Sequence, residues 1–237
     1  MKKAALVLGL LATPGVWAAD FLLLGVPAFR NGWATLPLFL VPFLLLVLGW
    51  GAEKAGKLAA AAWIVFVLGA GGYPALRLLT GNIGDKLELQ AGTRAPNFTL
   101  KDQEGKDVSL SDFTDDHRVL LVFFRGHGCP YCAAELRGLA ARYDDFKASR
   151  VEVVAISPQL PEKNKAMGLP FPVLSDPELK VTADYGLVHA KAMFGQDMPR
   201  PTTILVHNGD RNIQWLKAAD NVRIRPTPDE IIDALRR

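Results

Sequence analysis

Val119-Leu120-Leu121-Val122-Phe123-Phe124-Arg125-Gly126-His127-Gly128-Cys129-Pro130-Tyr131-Cys132 is the stretch on which the reading of this chain turns. Its first six residues are apolar and rich in branched and aromatic side chains, the pattern of a buried strand. Gly126 and Gly128 punctuate a turn. Beyond them Leu136, Leu139, Ala140, Tyr143 and Phe146 recur at helical spacing, so one continuous helix with a buried face is expected to begin at the cysteines. These are the only 2 cysteines of the chain. Standing three positions apart, they face each other across one turn.

That spacing has a chemical reason. The thiolate is the reactive form of cysteine, and the positive end of a helix dipole lowers a thiol pKa. Cys129, at or just before the first turn, is therefore the expected nucleophile. Cys132, one turn inward, is placed to attack a mixed disulfide on Cys129 and release the partner. Pro130 suits the first helical position, where its missing N–H costs no hydrogen bond. The structural alternatives are a static disulfide and half of a zinc site. Zinc requires further ligands, and with no second C-x-x-C the chain offers only His117, His127, His189 and His207, so no metal or other cofactor is expected. His127 is either a charge that tunes the thiolate or a solvated loop residue. Glu135 is either a proton relay or an exposed helix former, the second being the simpler reading. Trp215 is assigned to the core.

Working outward, half the residues are hydrophobic (50%) while 22% are charged, which points to a membrane part joined to a soluble part. Charges are few from Ala4 to about Leu79 and dense after Gly84. A net charge of +3 is too small to argue for nucleic acid. Residues 1–85 form the expected membrane region, with candidate spans at 4–26, 33–50 and 58–78. Trp33 to Trp50 is uncharged, long enough to cross a hydrocarbon core of about 30 Å, and bounded by interfacial tryptophans. The third span is softened by Gly69, Gly71, Gly72 and Pro74. The first has two readings. Lys2, Lys3, an apolar run and the ending Val16-Trp17-Ala18 have the layout of a secretory leader cleaved after Ala18, whereas the apolar residues resuming at Phe21 match an uncleaved helix. Two or three transmembrane helices are thus expected. Lys2, Lys3, Lys54 and Lys57 assign their ends to the cytoplasm, which places the remainder on the outer side of the inner (plasma) membrane, periplasmic or otherwise exoplasmic. An oxidising compartment suits a working cysteine pair.

Residues 93–237 have the size of one domain. Phe98-Thr99-Leu100 and Val108-Ser109-Leu110 flank a turn and suggest a hairpin. Val151 to Ile156 and Pro172-Val173-Leu174 read as strands, Glu162 to Met167 and Leu179 to Tyr185 as short helices. Thr202 to Val206 and Ile213 to Leu216, joined across Asn208-Gly209-Asp210, read as an antiparallel pair. Asp229 to Leu235 reads as a closing helix. The alternation indicates an α/β fold with a mixed sheet.

Ala95-Pro96-Asn97-Phe98-Thr99-Leu100, Val108-Ser109-Leu110-Ser111-Asp112-Phe113, the strand ending in Cys129-Pro130-Tyr131-Cys132, and Arg200-Pro201-Thr202-Thr203 resemble the alkyl hydroperoxide reductase/thiol-specific antioxidant (AhpC/TSA) branch of the thioredoxin-like superfamily. The resemblance covers about residues 93 to 237. It implies a thioredoxin-like fold, a mixed central sheet flanked by helices, in which Pro201 matches the proline that is cis and lies beside the reactive cysteine. It also implies that Arg200 supports the thiolate. Peroxiredoxins of this branch carry P-x-x-x-[TS]-x-x-C. With Cys132 in the peroxidatic place, the Pro and Thr positions hold Arg125 and Cys129. With Cys129 there, they hold Val122 and Gly126. Neither register is intact, and the C-x-x-C resembles thioredoxin-type and glutaredoxin-type sites, with Gly128 where a Trp is common.

The leading expectation is therefore a membrane-anchored thiol-disulfide oxidoreductase with Cys129, Cys132, Pro201 and Arg200 at its site. The alternative is a thiol-dependent hydroperoxide reductase in which Cys132 is oxidised to the sulfenic acid and Cys129 resolves it. A third reading is a copper-binding thioredoxin-like chaperone using His189 or His207, although such chaperones space their cysteines by three residues. The implied partners are a protein or small-molecule thiol or disulfide, a hydroperoxide, an electron-donor thiol protein and the lipid bilayer, with no nucleic acid.

Overall fold

The computed structural model describes residues 83–84, 87–113, 117–193, 195–207 and 209–236. The candidate spans 4–26, 33–50 and 58–78 lie outside the described residues. Among the described ones no helix is long and apolar enough to cross a membrane.

The strand read from the opening stretch is β3 (Arg118–Phe123), and it lies inside a mixed seven-stranded sheet. Parallel to it runs β4 (Val151–Ser157), and antiparallel to it on the other side runs β8 (Thr202–His207). β1 (Thr99–Lys101), β2 (Asp107–Ser109), β5 (Val173–Ser175) and β9 (Ile213–Ala218) complete the order β2-β1-β5-β4-β3-β8-β9. The hairpin of β1 and β2 and the antiparallel pair β8 and β9 stand where the sequence placed them.

Because side chains alternate across a strand, β3 feeds two cores. Val119, Leu121 and Phe123 enter one with Phe98, Val154, Ile156, Ile204 and Tyr185. Leu120 and Val122 enter the other with Leu136, Leu139, Phe146, Phe171 and both cysteines. Burying each such Val, Leu or Phe side chain contributes about 1.5–3 kcal/mol, so a strand buried on both faces holds its register firmly. The second core is covered by α1 (Pro130–Ala141), α2 (Tyr143–Ala148) and α5 (Pro228–Leu235). The remaining helices are α3 (Pro161–Lys165) and α4 (Lys180–Asp184).

Two features depart from the sequence reading. The single helix expected from the cysteines to Phe146 is two, broken at Arg142, whose backbone leaves helical geometry at φ −115 and ψ 17. The break is held by Arg142 itself, which pairs with Asp145 and, at 2.6 Å, with Asp229 of α5. It turns Tyr143 edge-on to Phe171 at 5.5 Å between ring centres. A second, two-stranded sheet of β6 (Val188–Met193) and β7 (Gln196–Pro199) was not anticipated, although Val188-His189-Ala190-Lys191-Ala192 alternates apolar and polar residues.

Candidate active site

The site is assembled where β3 ends. Phe124 N–H still donates to Ile156 O at 3.0 Å, which extends the strand by one residue. Gly126 then adopts φ +109, a conformation open to glycine, and the chain doubles back so that Cys129 N–H reaches Gly126 O at 3.3 Å. A Cβ on Gly126 would come within 2.8 Å of the Gln159 side chain, whose oxygen accepts from His127 N–H at 2.8 Å. Cys129 is the N-cap of α1 and Pro130 its first residue, as the sequence implied. The cap is a sulfur: Cys129 Sγ accepts from Cys132 N–H at 3.3 Å and from the Cys132 thiol at 2.7 Å.

The two free thiols are electrostatically unlike. Cys129, at the surface edge with 9% exposure, is drawn from the usual thiol range down to about 6. The Cys132 thiol donating to its sulfur does most of this, helped by the Cys132 backbone N–H and the charges of Arg225 and Arg125, against the opposing effect of burial. Cys132 has no exposed surface, and burial together with its bond to Cys129 pushes its thiol well up. The surroundings thus favour the thiolate form of Cys129 and the thiol form of Cys132. The peroxidase alternative had assigned first oxidation to Cys132, the sulfur that is enclosed here.

A cation not anticipated from the sequence also stands at this pair. Arg225, in the loop before α5 and 3% exposed, places Nη2 3.7 Å from Cys132 Sγ. Its Nε lies 3.0 Å from Glu135 Oε2, and Glu135 Oε1 accepts from Thr203 Oγ1 at 3.0 Å. Burial pulls the Arg225 pKa down, but Glu135 first and then the two sulfurs outweigh it and raise it. Glu135, read from sequence as an exposed helix former, is 4% exposed and anchors this cation. Its place three residues beyond Cys132, on the same helical face, was the available signal. Arg225 had none.

Arg200 is buried and its guanidinium bonds to Ala219 O at 3.1 Å and Asp220 at 2.8 Å, while the charges that draw Cys129 down are those of Arg225 and Arg125. Pro201 stands just before Thr202, which pairs with Phe123 at the end of β3. Its peptide bond is trans, as are all those among the described residues, which corrects the expected cis bond. The trans form is the intrinsically favoured one, and here it satisfies both flanking groups: Arg200 N–H donates to Leu187 O at 2.6 Å and Ala219 N–H to Pro201 O at 2.8 Å.

The histidines disperse. His189 on β6 meets the Arg125 guanidinium at 2.6 Å. His207 pairs with Arg118, at the end of β3 remote from the cysteines, roughly five residues or 17 Å along the strand. It bonds to Asp210 there. Among the described residues no three His, Cys, Asp or Glu side chains are grouped to hold a metal ion. Trp215 is half-buried against the second core.

The comparisons agree with this architecture. Residues 91–215 match the AhpC/TSA family. The chain is 36% identical to peroxiredoxin Bcp of Escherichia coli over 136 residues, covering 56% of this chain and 81% of that protein. It is 38% identical to chloroplastic peroxiredoxin Q of Sedum lineare over 126 residues, covering 52% of this chain and 66% of that one. Among solved structures, peroxidoxin BcpB of Mycobacterium tuberculosis superposes with a TM-score of 0.53 at 24% identity, over 63% of this chain and 96% of that one. Enterococcus faecalis AhpC does so with 0.55 at 18% identity, over 62% and 90%.

Proposed function

Since this chain belongs to the AhpC/TSA family and is a thiol-dependent oxidoreductase, we propose that it reduces hydroperoxides, with Cys129 as the oxidised thiolate and Cys132 as the resolving thiol. The reading is supported by the asymmetry of the pair: Cys129 is 9% exposed at the helix N-cap with its pKa drawn down, while Cys132 has no exposed surface and its pKa is pushed up. In the proposed step Cys129 Sγ bonds to the distal peroxide oxygen as the O–O bond breaks, and the alcohol or water leaves with a proton. Arg125 suits that moment, since its Nε is buried with no hydrogen-bond partner among the described residues and can donate to developing negative charge on the leaving oxygen. Cys132 then attacks the Cys129 sulfenic acid, water leaves, and the sulfurs join. An external thiol donor restores the pair by exchange.

Disulfide exchange is the second reading, supported by the C-P-Y-C pair with its sulfurs 2.7 Å apart. Hydroperoxide consumption and disulfide reduction measured side by side separate the two. The peroxidase reading expects peroxide to be consumed, Cys129→Ser to abolish turnover, and Cys132→Ser to stop after one equivalent with a sulfenic acid that a dimedone-type reagent traps. Disulfide reduction without peroxide consumption overturns it in favour of exchange. A sulfenic acid formed on Cys132 in the Cys129→Ser protein reverses the assigned roles.

We further propose that the segments at 4–26, 33–50 and 58–78 anchor the redox domain on the exoplasmic side of the inner membrane, a reading supported by the lysine distribution. A membrane-impermeant thiol reagent applied to intact spheroplasts is expected to label Cys129. Protection until lysis overturns the assigned sidedness.

A further inference from the structure

Arg225, Arg200 and Arg125 are held in different ways. Arg225 pairs with Glu135 and Arg200 with Asp220, so a carboxylate compensates each of those charges. Arg125 forms no ion pair among the described residues. Its Nη2 instead meets His189 Nδ1 at 2.6 Å, and its buried Nε has no hydrogen-bond partner among the described residues. A guanidinium keeps its proton and offers no acceptor, so this bond requires a lone pair on Nδ1. That assigns the ring proton to Nε2 and leaves His189 neutral. A carboxylate in this place would hold the guanidinium and cancel its charge, whereas a neutral imidazole holds it and leaves the charge whole. The charge is felt at both sulfurs and helps to draw Cys129 down.

The fold explains how His189 reaches the cysteine loop. It lies on β6 opposite Met198 of β7, and Leu187 O, just before β6, accepts from Arg200 N–H at 2.6 Å. Thr202 pairs in turn with Phe123, so the small sheet is tied to the end of β3 from which Arg125 departs. Both side chains are half-buried, which limits competition from water for the bond between them. We infer, resting on the peroxidase reading, that His189 is a positioning residue: it holds the Arg125 guanidinium with its charge uncompensated, for the Cys129 thiolate and then for the oxygen that leaves. In the step it serves, the thiolate bonds to one oxygen of hydrogen peroxide and the O–O bond breaks. The other oxygen departs as hydroxide, which a solvent proton converts to water.

The test reads two quantities on the full-length protein: kcat/KM for hydrogen peroxide, and the pH midpoint for alkylation of Cys129 by iodoacetamide. His189→Ala is expected to lower kcat/KM about tenfold, the order of one hydrogen bond to a charged group, and to move the midpoint above about 6. His189→Gln, whose amide oxygen can accept from Nη2, is expected to restore both. His189→Glu is expected to resemble the alanine variant, because it compensates the charge that it holds. In an Arg125→Gln background, His189→Ala is expected to change neither quantity further. Values unmoved in both His189→Ala and His189→Glu, or losses of equal size with and without Arg125, overturn the inference. Should His189→Ala not fold, the glutamine and glutamate variants decide, and equal values in those two overturn it. If the wild type consumes no hydrogen peroxide, the peroxidase reading has failed and the midpoints alone decide. A rise in the alanine and glutamate variants that glutamine reverses upholds the hold on Arg125, and unmoved midpoints remove it.

Discussion

Arg225 links the sulfur chemistry to the stability of the domain. Its guanidinium neutralises Glu135 with both side chains at most 2% exposed, so truncating either partner leaves a buried charge. Arg225→Gln is expected to destabilise the protein by about 3–5 kcal/mol in denaturant unfolding. It is also expected to move the alkylation midpoint of Cys129 upward from about 6, whereas a purely structural residue would leave that midpoint in place. The pH dependence follows from the same two sulfurs. The depressed Cys129 pKa makes stability rise with pH from about 6 to the unfolded thiol value near 8.5. Above that, the raised Cys132 pKa makes stability fall, because the unfolded thiol ionises while the folded one does not. Peroxide turnover is expected to climb through the Cys129 titration and level off above it, as a pH–rate profile will show.

At the scale of elements, the loop from β3 to α1 and the segment of α3 fix where the sulfurs stand. Gly126→Ala places a Cβ at positive φ and against Gln159, and is expected to cost about 1–3 kcal/mol and to slow turnover by shifting Cys129. Asn164 of α3 is buried. It accepts from Ser157 Oγ at 2.7 Å and donates to Ser175 Oγ at 3.0 Å, which ties the helix to the ends of β4 and β5. Asn164→Ala strands those two hydroxyls and is expected to cost about 1–3 kcal/mol in thermal or denaturant unfolding. The spacing of Cys129 and Cys132 announced the α1 start, because a helix places such residues on one face. The break at Arg142 was invisible, since the apolar period runs straight through it and the partner that holds the turn, Asp229, is 87 residues away.

For the molecule as a whole, the decisive feature is that β3 supplies both cores. Phe123 packs against Tyr185 at 5.1 Å between ring centres, and Tyr185 against Phe98 at 6.5 Å. Phe123→Ala is expected to lower unfolding stability by about 3–5 kcal/mol. The same substitution loosens the strand end from which the cysteine loop departs, so activity is expected to fall before the fold is lost.

The α/β class, the buried strand β3 inside the sheet and the helix start at the cysteines were legible in the amino-acid order. Local periodicity and residue spacing express them directly. Tertiary structure alone decided that Arg225 faces the sulfurs, that Glu135 is buried and that Pro201 follows a trans bond. Each of these depends on what distant segments bring within a few ångströms: electrostatic and desolvation effects act through space, and the separation of 93 positions from Cys132 to Arg225 carries no repeating pattern that records their meeting.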